Sequence, residues 1–180
     1  MEIELLERQS SELRKDIVEV CYHSKAGHVG GSLSAIDILN VLYFNELRID
    51  PNNPKMENRD RFILSKGHIA EALYVTLAKR GFFAYSELDN FSGYNTKYIG
   101  HPNNKVAGVE MNTGALGHGL AIGVGLAIAA KKMGQDYRTY VLMGDGELAE
   151  GSIWESAMAA GHYKLDNLCA IVDRNHLQIS

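Results

Sequence analysis

The sequence predicts an α/β fold, a parallel sheet flanked by helices, and three observations carry that expectation. Short apolar runs alternate with longer stretches of helical period, which is the pattern of βαβ units rather than of hairpins. The run at 140–143 feeds straight into Gly144-Asp145-Gly146, and a second run at 168–172 ends in Asp173-Arg174-Asn175, thirty positions after Asp145. A βαβ unit brings the carboxyl ends of both strands to one sheet edge, so Asp145 and Asn175 are expected to face one another where open α/β sheets bind ligands.

Each element follows in order. Residues 3–22 have a helical period, with Leu6, Leu13, Ile17 and Val20 on one stripe and Glu7, Arg14, Lys15 and Glu19 off it. The glycine-rich loop 26–31 ends that helix, and Ser32 or Ser34 can cap the next, whose apolar residues are Ile36, Leu39, Val41 and Leu42. Residues 51–61 are polar, with Pro51-Asn52-Asn53-Pro54 as a turn. A short strand is expected at 61–64, with Ser65-Lys66-Gly67-His68 as its exit loop, then a helix over 71–80. Residues 85–104 read as loop with a short helix near 86–91. The helix over 117–133 is apolar, rich in Gly and Ala, and has little charge before Lys131. An amphipathic surface helix has a polar face, so this one is expected to be buried on most sides, in part across a subunit interface. A strand over 138–143, a helix over 151–163 and a strand over 168–172 complete the chain. A doubly wound sheet needs further strands, so residues 1–180 are expected to be one incomplete domain.

The 180 residues suit a single domain with a proper core. A formal net charge of −4 argues against nucleic acid or an anionic membrane as the main partner. Cys21 and Cys169 form no C-x-x-C pair, so neither a disulfide framework nor a zinc site is indicated. The acidic start, Met1-Glu2-Ile3-Glu4, and the lack of a long apolar span speak against a signal peptide and a membrane helix. The expectation is a cytoplasmic protein.

The chemistry concentrates among glycines. Two hard oxygen donors, Asp145 and Asn175, flanked by glycines that let a phosphate approach the backbone, suit Mg²⁺ holding a diphosphate. A lone Gly-Asp-Gly is ordinarily an acidic turn; the second strand at matched topology is what lifts it above that. Four histidines, His28, His68, His101 and His118, follow glycines in loops rather than sitting on helix faces, and three Gly-His pairs at strand exits or loops look like a lined pocket. No H-x-H or H-E-x-x-H spacing provides local chelation, so neutral imidazoles bonding hydroxyls and phosphate oxygens fit better than zinc ligands. The run from Asn112 to Ala121 opens a helix with glycines, as phosphate loops do, yet the acidic residue of a dinucleotide site is missing: Thr139 and Tyr140 stand in its place. Glu147, Glu150 and Glu155 follow the Gly-Asp-Gly turn; glutamates there are commonly surface residues favoured by the helix dipole, although Glu150 lies within a turn of the expected metal site.

Together these segments resemble the amino-terminal, thiamine-diphosphate-binding part of transketolase. The resemblance covers essentially the whole chain through Ala26-Gly-His-Val-Gly-Gly-Ser-Leu-Ser, Leu64-Ser-Lys-Gly-His, Gly100-His-Pro, Thr113-Gly-Ala-Leu-Gly-His-Gly-Leu and Gly144-Asp-Gly…Asn175. Each motif alone is modest; five in the family's order are specific. The wording Gly-Gly-Ser-Leu-Ser and His118 look most like split transketolases, in which this half is a separate subunit. The resemblance implies the diphosphate-domain fold, with Asp145, Asn175 and the Leu177 carbonyl holding Mg²⁺. Gly146 would lie against the diphosphate and His68 would contact it, while Gly114 and Leu116 would border the pyrimidine. His28 and His101 would bond donor-sugar hydroxyls, and Glu150 would stand at the dimer interface, coupling cofactor sites.

By the same resemblance the activity is transfer of a two-carbon ketol unit from a ketose phosphate to an aldose phosphate. The glutamate that activates the pyrimidine and the arginines that grip the sugar phosphate belong to a second domain in this family. A carboxyl-terminal transketolase subunit is therefore the expected partner, in a heterotetramer of two plus two. Two other kinds of protein carry a Gly-Asp-Gly…Asn site, namely 1-deoxyxylulose-phosphate synthase-like proteins and 2-oxoacid dehydrogenase decarboxylating subunits; Gly100-His101-Pro102 favours transketolase over the latter. A non-catalytic partner-binding half-domain would have no need of Asp145, Asn175 and three pocket histidines. A nicotinamide-dependent oxidoreductase lacks its ribose acid here.

Overall fold

The computed structural model describes residues 2–178, and its centre is a three-stranded, all-parallel sheet of β1 (Arg61–Leu64), β2 (Thr139–Gly144) and β3 (Leu168–Asp173) in the order β1-β2-β3. Side chains alternate across a pleated strand, and the two faces separate accordingly. Phe62, Leu64, Tyr140 and Leu142 join the core beneath α1 (Ile3–Ser24), α2 (Val29–Val41) and α3 (Ala70–Arg80). Ile63, Val141 and Met143 face the other way, onto Leu120 of α4 (Gly119–Lys132) and Ile153 of α5 (Gly151–His162). The result is a sheet between two helical layers. Burial on both faces of β1 and β2 explains why those strands read as continuous apolar runs.

The register places Gly144 opposite Asp173, and the Asp145 N–H donates to the Asp173 carbonyl at 3.2 Å. Both Asp145 and the turn after β3 thus leave the sheet at the same edge. Cys169, Ala170 and Val172 along β3 are exposed. Among the described residues no helix is long and apolar enough to cross a membrane.

One local expectation, the cap of α2, needs correction, and the local structure refines others. Helix α2 starts at Val29, so neither Ser32 nor Ser34 is its cap. Glu71, wholly buried on α3, takes the His28 N–H at 2.6 Å and the Ser32 hydroxyl at 2.7 Å; this distant carboxylate satisfies the helix entrance, which lets Gly30 and Gly31 fall inside the helix. The chain after α2 tightens into a π-turn, Leu42–Glu46, which the periodicity does not announce. Helix α4 is largely covered within this chain, as its composition predicts: Ile122, Leu126, Ile128 and Ala129 are half-buried. Gly119, Leu120, Gly123, Val124, Ala127 and Ala130 are buried, whereas Ala121 and Gly125 on the opposite side are exposed. The short helix near 86–91 is a 3₁₀ turn, Tyr85–Asn90.

Candidate functional site

A cavity of about 760 Å³ opens at the carboxyl edge of the sheet. Its walls come from four loops: the entrance of α2 (His28, Gly30, Gly31), the exit of β1 (Lys66, His68), the loop before α4 (Gly114, Leu116) and the turn after β2 (Gly144, Asp145, Gly146). Glu147, Glu150, Asn175 and Leu177 complete the lining. Asp145 and Asn175 are therefore brought to one site.

The acidic end is shaped by backbone donors. Asp145 accepts from the Gly146 N–H at 3.0 Å and the His176 N–H at 2.8 Å, and Asn175 Oδ1 accepts from the Leu177 N–H at 3.0 Å. His176 takes a left-handed φ of 61°, which bends the chain after β3 back over Asp145. These amides, the His176 N–H foremost, hold the Asp145 carboxyl below the usual carboxylate range. The group is a carboxylate at neutral pH.

The opposite wall is built on glycine. Gly114 has φ +138°, and a Cβ there would fall 2.5 Å from Cδ2 of His101. No other residue leaves that wall flat with the imidazole behind it. Of the three expected pocket histidines, His101 is not in the lining itself; it adjoins the site through Gly114, and its carbonyl accepts from the Tyr74 hydroxyl at 2.8 Å. His28 and His68 meet edge to face with ring centroids 5.3 Å apart. His118 is exposed, its Nδ1 is 3.2 Å from the Leu116 carbonyl, and it does not line the cavity.

Sequence reasoning missed two buried charged groups. Lys66, 1% exposed, pairs with Asp173 at 2.5 Å, and the Ser34 hydroxyl donates to the other Asp173 oxygen at 2.7 Å. This network ties α2 and the β1 exit to the end of β3. The Ser-Lys-Gly-His wording was legible as a loop, but nothing local to Lys66 names a partner 107 positions away. Glu147 is the second. It is 2% exposed rather than a surface residue, because the segment Gly146–Ala149 is a 3₁₀ turn that points it beneath the sheet edge instead of opening a helix.

Burial, with Lys66, His28 and His101 nearby, pushes the His68 imidazole down to about 4, so it is neutral at physiological pH. Between about 6.5 and 4 the unfolded chain takes a proton at this position that the folded chain refuses. The unfolded state then binds more protons, so stability is full above 6.5 and falls as pH drops through that window. His68→Asn is expected to flatten this slope in thermal unfolding measured at pH 4.5, 5.5 and 7.

Such a cavity, at the carboxyl edge of a parallel sheet and carrying a carboxylate and an amide oxygen beside glycine-lined backbone, defines a ligand-binding α/β domain of the diphosphate type. The sequence model of the family described as "Transketolase, thiamine diphosphate binding domain" matches residues 7–180. The chain belongs to the transketolase family, within that domain. It is 56% identical over 180 residues to an apulose-4-phosphate transketolase subunit of Phocaeicola vulgatus, covering all of this chain and 64% of that protein. The 6-deoxy-6-sulfo-D-fructose transketolase subunit SqwG of a Clostridium species is 42% identical over 175 residues, 97% of this chain and 64% of that protein. Among solved structures, transketolase from Campylobacter jejuni superimposes with a TM-score of 0.93 at 38% identity, covering 99% of this chain and 29% of that one. The chain thus spans 64% of the length of each of these two relatives named as transketolase subunits.

Proposed function

We propose that this chain is the amino-terminal, cofactor-binding part of a split transketolase, which moves a two-carbon ketol unit from a ketose phosphate to an aldose phosphate. The observation that carries the reading is the convergence of Asp145, Gly146, Asn175 and Leu177 on one end of a cavity whose wall is Gly114 and Leu116. Thiamine diphosphate with Mg²⁺ fits these residues. The side-chain oxygens of Asp145 and Asn175 and the Leu177 carbonyl form an all-oxygen donor set, the kind a hard divalent ion takes. Gly146 lets the diphosphate lie against backbone, and a neutral His68 can donate to a phosphate oxygen without adding charge. The flat wall at Gly114 and Leu116 suits an aromatic ring edge.

When bound, the cofactor supplies the nucleophilic carbon and the electron sink that ketol transfer needs. The chain's own groups position and select. His28 and His101 bond hydroxyls of the donor sugar, and Glu150, exposed at the cavity rim, faces the interface with another subunit. The residue that activates the pyrimidine comes from a carboxyl-terminal partner subunit, in an assembly of two plus two. Residues 1–180 then form an incomplete thiamine-diphosphate-binding domain. A cytoplasmic location and sugar-phosphate substrates belong to the same reading, and the net charge of −4 argues against nucleic acid or an anionic membrane as the main partner.

Reconstitution tests this reading. Without the partner, saturating thiamine diphosphate and Mg²⁺ are expected to give no ketose-to-aldose transfer; adding the partner restores it. Robust transfer by this protein on its own would overturn the assignment.

A further inference from the structure

Glu147 has no role in the cofactor contacts described above, yet its buried carboxylate is hydrogen-bonded beside three of the loops that build the cavity. Its Oε1 accepts from the Ser65 hydroxyl at the β1 exit and from the Gly117 N–H, at 2.8 Å, in the loop before α4. Its Oε2 accepts from the Gly144 N–H, at 3.2 Å, where β2 ends. The three donors thus lie beside the three loops that supply His68, the Gly114 and Leu116 wall, and Asp145. A carboxylate is acceptor-only, and both of its oxygens are engaged.

The neighbouring geometry shows why these loops need a common anchor. Gly117 sits at φ +90°, where a Cβ would come within 2.8 Å of the Glu150 Cβ, and its carbonyl accepts from the Ser152 hydroxyl at 2.8 Å. Gly119 packs so closely that a Cβ would fall 2.4 Å from the Ser65 Cβ. The loop before α4 therefore has no regular ladder of its own and depends on side chains from the segment after β2 to fix both polar groups of Gly117.

We infer that Glu147 is the positioning residue of this site: one buried carboxylate sets the spacing between the acidic end at Asp145 and the glycine wall at 114–116. It acts through the amides of Gly117 and Gly144 and touches no ligand itself. The inference rests on the proposed function only for the identity of the ligand that spans the two ends. A glutamine cannot replace it, because its NH₂ faces a donor whichever way the amide is turned.

The test uses the full-length protein assembled with its partner in Mg²⁺, comparing wild type, Glu147→Gln and Ser65→Ala. Amide hydrogen exchange is read at Gly117 and Gly144, and the Kd of thiamine diphosphate by calorimetry. Glu147→Gln is expected to accelerate exchange at both glycines together, while Val141 and Leu142 in β2 stay protected, and to raise the Kd at least tenfold. Ser65→Ala leaves both amides on the carboxylate, so it is expected to change the Kd less than threefold. Unchanged exchange at Gly117, or a wild-type Kd in a folded Glu147→Gln protein, overturns the inference. Should that variant not fold, wild-type exchange decides: a Gly117 amide no slower than its neighbours Leu116 and His118 overturns it, and selective protection upholds it. Failure of wild type to bind thiamine diphosphate counts against the proposed function alone, since the exchange arm still judges Glu147.

Discussion

Asp145→Ala is expected to abolish detectable binding of thiamine diphosphate in the presence of Mg²⁺. The substitution removes a proposed metal ligand and also the acceptor for the His176 and Gly146 amides, so the turn that carries Asn175 and Leu177 loses its anchor. Losing a group that merely supports a metal ligand costs about 10–100-fold in affinity, and loss of a ligand costs more. Glu12→Ala, on an exposed position of α1, is expected to bind as wild type does. Calorimetry of both variants, with thermal unfolding to show that each is folded, checks the pair.

His28→Ala and His101→Ala are expected to reduce turnover about 10–100-fold while the Kd for thiamine diphosphate moves less than threefold. A lost hydrogen bond to a buried partner costs roughly 1–3 kcal/mol, and each 1.4 kcal/mol is about tenfold in rate. The backbone argues that the effect stays local. The His28 N–H is held by Glu71 and the His101 carbonyl by the Tyr74 hydroxyl, so removing either ring leaves its loop anchored. Steady-state kinetics beside a binding titration separates the two quantities. Loss of cofactor binding in a folded His28→Ala or His101→Ala protein would show that these side chains hold the cofactor rather than the sugar.

The strands were legible because their signal is local: 61–64 in the sequence reading is β1 itself, and the two later strands end one residue beyond the apolar runs. The convergence of Asp145 and Asn175 followed from topology, since a βαβ unit admits little else. What stayed illegible depended on distant partners. Glu71 caps α2 from 43 positions away, which no cap rule applied to Ser32 or Ser34 could detect. Glu147 read as a helix-dipole residue because Glu-Leu-Ala-Glu looks like a first helical turn; the 3₁₀ turn instead buries it against Ser65, 82 positions earlier. His118 shared the Gly-His wording of its three counterparts, but it lies at the N-cap of α4 with its ring over its own loop. Helix α4 lacks a polar face for the reason given from its composition, and only Ala121 and Gly125 before Lys131 are left exposed in this chain.

The functional reading turns on whether the Asp145, Asn175 and Leu177 end of the cavity grips a diphosphate through a divalent ion. Isothermal titration of the assembled protein with thiamine diphosphate, once in Mg²⁺ and once in chelator, decides it. Saturable binding in Mg²⁺ that disappears in chelator is the expected result; equal affinity under both conditions would contradict the metal-bridged site.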